Sequence, residues 1–291
     1  MKQEINFNGC LIIDKPKNYT SRDIVNIIGK KFKTNKVGHT GTLDPMATGV
    51  LVICINKATK IAELLTSLDK EYIAEFTFGT LTDTLDNTGN IIKTEKAIIN
   101  EEDIKKALSS MLGIYDQEVP IYSAVKVNGK KLYEYARNNE EVVLPKHKVE
   151  IKELELLNIK YENDKTIIKT KCLVSKGTYI RALGYDVAKK LNTVAVMSDL
   201  RRTKQGKFDI NESYTLEDIE NNQYKILNIS DVLEYEKVEI DGDIYKKIIN
   251  GAIIDNVYNS ETVLFTYNNK EVAIYKTYDK DNSKLKPWKM L

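Results

Sequence analysis

Residues 38–51 read GHTGTLDPMATGVL, and the setting of one carboxylate in that stretch governs how the rest of the chain is read. Asp44 lies between Leu43 and Pro45, three residues after Gly41 and five before Gly49, directly ahead of an apolar run. A residue preceding proline is pushed out of helical geometry, so Asp44 belongs on extended or turn backbone. Gly38, Gly41 and Gly49 permit sharp bends and close approach by another backbone. The following VLVICI (50–55) has the length and continuous apolarity of a central strand. A rigid loop feeding such a strand can hold one carboxylate at a cleft. The alternative is an Asx-type turn in which Asp44 only caps a loop, and this stretch alone does not separate the two.

Working outward, GCLIID (9–14) reads as a short buried strand closed by Lys15 and Pro16. A helix follows, with Thr20 as N-cap, Asp23 at the capping-box position, and Ile24, Val25, Ile27, Ile28 and Phe32 as its apolar face. KATKIAELLTSL (57–68) predicts a short helix, and KEYIAEFTFG (70–79) a strand with Tyr72, Ala74, Phe76 and Phe78 on one face. TDTLDNTGN (82–90) is turn chemistry. EEDIKKALSSML (101–112) predicts an amphipathic helix with acids at its N-terminus. SAVKVNGKKLYEYAR (123–137) predicts a strand, an Asn128-Gly129 turn and a short helix.

Two more strands are expected near 147–159 and 166–174, then a helix starting around Thr178, an extended segment over 194–208 and a small helix over 214–220. Helices and strands mix without regular βαβ alternation. This predicts an α+β fold over residues 1–235, with a mostly antiparallel mixed sheet and flanking helices. After polar, acidic text near 222–243 come a short helix, a turn at Gly251 and two or three short strands. They predict a small β-rich second domain over residues 236–291.

Composition excludes several classes. Apolar residues make up 42% and charged residues 30% of 291, enough for a packed core in a soluble protein, and no run approaches the roughly 18 apolar residues of a membrane span. The N-terminal MKQEINFNG carries no apolar targeting segment, so a cytoplasmic protein is expected. Three cysteines, Cys10, Cys54 and Cys172, each sit in an apolar run and read as small buried hydrophobes. With no CxxC and two distant histidines, structural zinc and a CxxC redox site are not expected, while an all-carboxylate magnesium site stays open.

Net charge is 44 − 42 = +2, but the basic residues cluster. Lys30, Lys31, Lys33 and Lys36 form one group, Lys126, Lys130 and Lys131 a second, and Arg201, Arg202, Lys204 and Lys207 a third. Any one cluster is ordinarily a solvated surface; three together point toward a polyanion.

Familiar nucleotide and protease motifs are missing. No Gly-Lys-Ser/Thr follows at phosphate-loop spacing, Gly38 and Gly41 lack a third dinucleotide-loop glycine, Asn87-Thr88-Gly89 is not Asp-Thr-Gly, and no GxSxG exists. A second constellation does stand out in SKGTYIR (175–181), which places Tyr179 and Arg181 in the first turn of a helix. An arginine at that positive end gains nothing from the dipole, so it needs an acidic partner or a bound anion. If the partner is Asp44, the pair orients the carboxylate; a purely structural acid is the alternative. Tyr72 is ordinarily core on such a strand, yet its hydroxyl needs a partner and its ring can stack on a base.

GCLIIDKP, GHTGTLDPMATGVL, KEYIAEFTFG, YSAVKVNGKKLYEYAR, SKGTYIRALGYDVA and DLRRTKQGKF occur in this order. Over residues 8–220 they resemble the bacterial tRNA pseudouridine synthase B (TruB) family; beyond 235 the chain resembles its short PUA-like C-terminal domain only loosely. The resemblance implies a pseudouridine synthase fold and isomerisation of the T-loop uridine at tRNA position 55, by breaking the N1 glycosidic bond, turning the extruded base and rejoining it through C5. It implies Asp44 as nucleophile, Tyr72 as the residue that stacks on the base and helps move the C5 proton, and Arg181 as the partner of the aspartate. Tyr179 and Leu200 fall on pocket residues, His39 on the side chain that replaces flipped nucleotides, and Lys15 on the motif flanking the pocket.

The resemblance further implies a PUA-like RNA-binding role for the second domain, no metal or other cofactor, and a monomer acting on the T arm of tRNA with no DNA or membrane partner. Two departures are visible. Val119 stands where the family has a proline, and Asn139 replaces a glycine, as a residue tolerant of left-handed backbone can. Two competing classes are an RNA-binding or folding module on a synthase fold, against which the intact Asp44, Tyr72 and Arg181 argue, and a guide-RNA-dependent synthase.

Overall fold

The computed structural model describes residues 7–291; MKQEIN, most of the stretch expected to carry no targeting segment, lies outside the described residues. β1 (Gly9–Lys15) is nearly all buried and runs into Pro16, which has no N–H to continue a ladder. α1 (Ser21–Phe32) starts where the sequence predicts. The Thr20 hydroxyl accepts from the Asp23 N–H and the Asp23 carboxylate accepts from the Thr20 N–H, satisfying two donors that a bare helix end would leave orphaned.

β2 (Val37–His39) pairs with β3 (Thr48–Ile55), which is buried from Gly49 onward. The single helix expected over 57–68 is divided into a 3-10 turn, Asn56–Ile61, and α2 (Ala62–Thr66). Thr59 turns its hydroxyl onto the Asn56 carbonyl, the kind of local bond that competes with α-helical pairing.

β4 (Lys70–Phe78) alternates as expected, with Tyr72, Ala74, Phe76 and Phe78 buried. β5 (Thr80–Thr82) and β6 (Ile91–Thr94) pair across the 83–90 turn. α3 (Glu101–Ser109) is capped by Asn100, and β7 (Gly113–Glu118) follows. β8 (Lys126–Val127) and β9 (Lys130–Lys131) form a hairpin about Asn128 and Gly129, both at positive φ, the geometry two-residue hairpins favour. After α4 (Leu132–Arg137), Asn139 adopts φ 52°, the left-handed backbone its residue type tolerates.

β10 (Lys146–Glu162) and β11 (Lys165–Val174) precede α5 (Ile180–Lys190). This helix starts two residues later than expected, with Tyr179 as its N-cap. β12 (Ala195–Gln205), β13 (Phe208–Asp209), α6 (Leu216–Glu220) and α7 (Ile229–Val232) complete the first part of the chain.

The main sheet runs β1-β3-β12-β4-β11-β10-β7, with β2 and β13 attached, and every pairing is antiparallel except β3 with β12. At that parallel junction Gly49 lies opposite Arg202, and a Cβ on Gly49 would fall 2.1 Å from the Arg202 carbonyl oxygen. Only glycine lets the two backbones meet there. Gly38, by contrast, lies in β2 with open space around it, so that position does not demand glycine.

Helical residues Ile24, Ile28, Ile104, Leu108, Leu183 and Val187 share one core with Phe76 and Phe78. The other side of β1 and β3, including Cys10, Val50, Val52 and Cys54, packs with Phe208, Val232, Leu264 and Ile274. Leu264 and Ile274 belong to a second sheet formed after residue 235. Its elements are β14 (Glu236–Glu239), α8 (Gly242–Ile249), β15 (Ile254–Asp255), β16 (Thr262–Tyr267), β17 (Lys270–Tyr278) and β18 (Asp281–Met290). Strand order is β14-β16-β17-β18-β15. The expected two or three short strands understate this: three strands reach 6, 9 and 10 residues. Both faces of this sheet are covered, Leu264 and Ile274 packing into one core and Val263, Phe265, Ala273 and Tyr275 into another, so these strands lack the alternation that periodicity reads.

Candidate active site

The backbone on both sides of Asp44 is pinned. Before it, the Leu43 N–H donates to the Ser21 hydroxyl at 2.9 Å, and that hydroxyl reaches back to the Leu43 carbonyl at 3.2 Å. After it, Pro45 leads a turn closed by the Ala47 N–H on the Asp44 carbonyl at 3.0 Å, with proline where a turn favours it. The Pro45 carbonyl accepts from the Asn18 N–H at 2.8 Å and from the Lys15 ammonium at 3.4 Å. Asp44 therefore has little backbone freedom.

Arg181 closes on the carboxylate from α5. Its Nε lies 3.0 Å from Asp44 Oδ2 and its Nη2 3.5 Å from Oδ1. Nη1 donates to the Thr84 carbonyl at 2.8 Å and Nη2 to the Tyr122 carbonyl at 3.1 Å. The guanidinium is 7% exposed against 33% for the carboxylate, so the open side of the pair is Asp44. Of the two partners the sequence allowed for this arginine, the acidic one is present.

A second carboxylate, Asp86, stands 3.8 Å from Arg181 Nε and was readable from sequence only as turn text. Its Oδ1 accepts from the Thr84 hydroxyl, the Thr88 N–H and the Thr88 hydroxyl at 2.8, 2.9 and 2.6 Å. Between Thr84 and Asp86, Leu85 is held at φ 62°, an uncommon conformation for leucine. The loop is fixed to β12 by paired bonds between Leu85, Asn87 and Met197.

Asp44, Tyr72, Tyr179, Arg181 and Leu200 all line one cavity of about 800 Å³. The alternation of β4 brings in Tyr72, whose hydroxyl has no hydrogen-bond partner among the described residues. The Arg202 guanidinium lies 5.9 Å from the centre of its ring. Tyr179 is placed by Gln117, a buried side chain that accepts from the Tyr179 N–H at 2.8 Å and donates to its carbonyl at 3.1 Å. Burial raises the Tyr179 phenol pKa, with the Asp44 charge adding to the rise. Lys70, at the cavity wall, is lowered to about 8 by burial and then by Arg202; its ammonium donates to the Thr66 and Leu68 carbonyls.

Two expected site residues lie elsewhere. Lys15 is fully buried, and its ammonium donates to the Pro16, Tyr19 and Pro45 carbonyls; it holds the loop after Asp44 and does not line the cavity. Burial lowers its pKa to about 8, against the opposing pull of Asp44. His39 is half-buried on β2, accepts from the Gly41 N–H at 3.3 Å through Nδ1, and is also outside the cavity wall.

The third basic cluster is divided by the fold. Arg202 is buried and donates to the Val50 and Gly41 carbonyls. Arg201 pairs with Asp14 at 2.7 Å, Lys204 with Asp209 at 3.2 Å and Lys207 with Glu234 at 3.7 Å. Sequence clustering could not reveal that Arg202 is buried on carbonyls while the other three hold carboxylates at the surface. Among the described residues, no group of three or more His, Cys, Asp or Glu is arranged to hold a metal, and no helix is long and apolar enough to cross a membrane.

Comparison with solved structures places the architecture. The chain superposes with a TM-score of 0.70 on a chain of an H/ACA RNP bound to a substrate RNA containing 2′-deoxyuridine, covering 99% of this chain and 86% of that one at 22% identity. A Cbf5-Nop10-Gar1 complex gives 0.69 at 24% identity, covering 97% and 81%. The fold is that of the pseudouridine synthases. Residues 29–180 match the model of the TruB family pseudouridylate synthase N-terminal domain, and residues 181–234 that of the tRNA pseudouridylate synthase B C-terminal domain.

Curated relatives agree. A tRNA pseudouridine synthase B of Caldanaerobacter subterraneus is 45% identical over 270 residues, 92% of this chain and 93% of that protein. Its namesake in Bacillus licheniformis is 39% identical over 302 residues, 98% of each chain. The chain belongs to the TruB family of pseudouridylate synthases, isomerases that convert uridine to pseudouridine in tRNA.

Proposed function

We propose that this chain isomerises the T-loop uridine at tRNA position 55, with Asp44 as nucleophile. The observation that carries the reading is the Asp44–Arg181 pair, an oriented carboxylate 33% exposed, opening into a cavity that Tyr72 and Leu200 also line. The reaction breaks the N1–C1′ bond, turns the uracil and forms a C5–C1′ bond; N1 ends with a proton and C5 gives one up. Atoms balance without any redox step or outside group. Asp44 supplies the nucleophile, Tyr72 stacks on the base and its unpartnered hydroxyl assists proton movement at C5, and Arg181 keeps the carboxylate aimed.

A base in a folded loop must leave its stack to enter such a cavity, at a cost of a few kcal/mol. Stacking on Tyr72 and contacts to the Tyr179 side of the cavity offset that cost. His39, on the β2 strand ahead of the Asp44 loop, is proposed to fill the vacated stack, and Lys15 to keep the loop rigid. Residues 1–235 carry the chemistry, and residues 236–291 serve as an accessory RNA-binding unit. Support for the latter is the Lys276 ammonium 5.4 Å from the Trp288 ring, beside a second surface cavity. The test is to incubate purified protein with an unmodified tRNA transcript and map pseudouridine at single-nucleotide resolution. Conversion confined to the T-loop uridine is expected; modification only at other sites, or none, would reject the assignment.

A further inference from the structure

Ser123 is 7% exposed, lines the cavity that holds Asp44, and has a hydroxyl with no hydrogen-bond partner among the described residues. Its backbone is committed: the N–H donates to the Ile121 carbonyl at 2.9 Å and the carbonyl accepts from the Tyr133 N–H at 3.1 Å. The peptide before it is committed too, because the Tyr122 carbonyl accepts from Arg181 Nη2 at 3.1 Å. Ser123 is thus fixed one residue away from the guanidinium that aims Asp44. The Tyr179 phenol is near enough for Ser123 to oppose the rise in its pKa, yet the two do not form a hydrogen bond of acceptable geometry. Buried hydroxyls are normally paired. One that is held rigidly at a cavity wall without a partner points to a partner on the ligand.

The position of Ser123 narrows which part of the ligand that is. Tyr72 and Leu200 come from the sheet strands β4 and β12 and supply ring and aliphatic surface. Ser123 comes from the segment between β7 and β8, tied to Arg181 and so to Asp44. Whatever atom Asp44 attacks, the bond that breaks and the bond that forms both involve ribose C1′. The neighbours of the Asp44–Arg181 pair therefore meet the sugar before they meet the far edge of the pyrimidine. The polar group next to C1′ is the 2′-hydroxyl, which both donates and accepts, as a serine hydroxyl does. It is also the group by which a protein tells RNA from DNA at a given site.

We propose that the Ser123 hydroxyl binds the 2′-hydroxyl of the target nucleotide and selects a ribonucleotide at that position. The proposal rests on the reading that this cavity takes the extruded uridine.

The test uses synthetic T-arm stem-loops with either uridine or 2′-deoxyuridine at the target position. Single-turnover rates and binding are measured at saturating enzyme for the full-length wild type and for Ser123→Ala, with thermal melting as a folding control; removing one oxygen leaves nothing to clash. On the ribonucleotide substrate Ser123→Ala is expected to lose about three- to tenfold in rate over affinity, the size of one hydrogen bond. On the deoxy substrate the wild type should show a comparable loss and the variant no further one, since both changes remove the same contact. A variant as active as wild type on the ribonucleotide overturns the proposal. So do losses that multiply, which would place Ser123 on the base or a phosphate. Failure of the wild type to convert the ribonucleotide stem-loop would instead overturn the reading of the cavity, and the proposal with it.

Discussion

The Gln117 side chain binds residue 179 as a neighbouring peptide would, accepting from the Tyr179 N–H at 2.8 Å and donating to its carbonyl at 3.1 Å. Tyr179 is the N-cap of the helix that carries Arg181, so a side chain on the edge strand β7 sets the start of that helix. Replacing Gln117 with leucine would leave the Tyr179 N–H without a partner, while the Tyr179 carbonyl keeps the Leu183 N–H at 3.0 Å; one such group that water cannot reach costs about 1–3 kcal/mol. We expect a clearly lower melting temperature. We also expect a single-turnover rate that falls more than tRNA affinity, because Tyr179 and Arg181 lose their register. Equal affinity and rate in the variant would show that the helix start is fixed by other contacts.

Asp44→Asn keeps the shape of the side chain and removes the nucleophile. Losing such a group commonly costs on the order of 10⁴-fold in turnover, while tRNA binding should be largely retained. Gel-shift affinity and pseudouridine formation measured on the same preparation check both halves. Residual activity within about tenfold of wild type would remove Asp44 from the chemistry.

Arg181→Lys keeps a charge but cannot serve Asp44, the Thr84 carbonyl and the Tyr122 carbonyl at once, as the planar fork does. Arg181→Met leaves the carboxylate with no counter-charge at all. Breaking a fully buried pair costs about 3–5 kcal/mol, and less is expected here because Asp44 is 33% exposed. Activity should fall in the order wild type, lysine, methionine. The salt dependence of binding should stay unchanged, since the guanidinium is already taken up by Asp44 and the Thr84 and Tyr122 carbonyls. A flatter salt dependence in Arg181→Met would move the arginine to the binding surface.

The parts of this molecule that could be read from sequence are those set by local rules. The Thr20–Asp23 box, the alternation of β4 and the Asn128-Gly129 hairpin each depend on a few adjacent residues. So does the turn that exposes Asp44; Tyr72, Tyr179 and Arg181 stood out on their own segments, and Leu200 came only from the family resemblance. Long-range partners were not readable in this way. Asp86 becomes part of the site only because α5 brings Arg181 to within 3.8 Å of it. Lys15 is next to a site motif, yet the fold directs its ammonium to carbonyls. Arg202 sits in a basic run that reads as surface, whereas the parallel β3–β12 junction buries it.

The second sheet makes a prediction about truncation. Leu264 and Ile274 share a core with Val50, Val52 and Cys54 of β3 and with Cys10 and Ile12 of β1. Deleting residues 236–291 would bare that side of the main sheet, and an exposed apolar face of this kind promotes aggregation. We expect the shortened chain to be insoluble, or to melt far below the intact protein, before any loss of RNA binding can be measured. A soluble, cooperatively melting fragment 1–235 would show instead that the two units fold independently.

Lys70 gives the chain a pH dependence whose sign can be worked out. Burial, with Arg202 nearby, lowers its pKa from an ordinary 10.5 to about 8. In the unfolded chain the amine keeps its proton up to the ordinary value; in the folded chain it gives the proton up near 8. Between those two values the unfolded state binds more protons, so stability contributed by this group rises with pH. Below pH 8 both states are protonated, and the burden of the buried charge is constant. Lys70→Met removes the titration but also the bonds to the Thr66 and Leu68 carbonyls, a loss that does not vary with pH. Urea midpoints of wild type and variant should therefore run parallel up to about pH 8 and then diverge in favour of wild type toward pH 10. Lys15 is lowered to about 8 as well and contributes equally to both proteins, so it drops out of the difference. A difference that stays flat across this range would mean that the Lys70 ammonium keeps its proton in the folded protein.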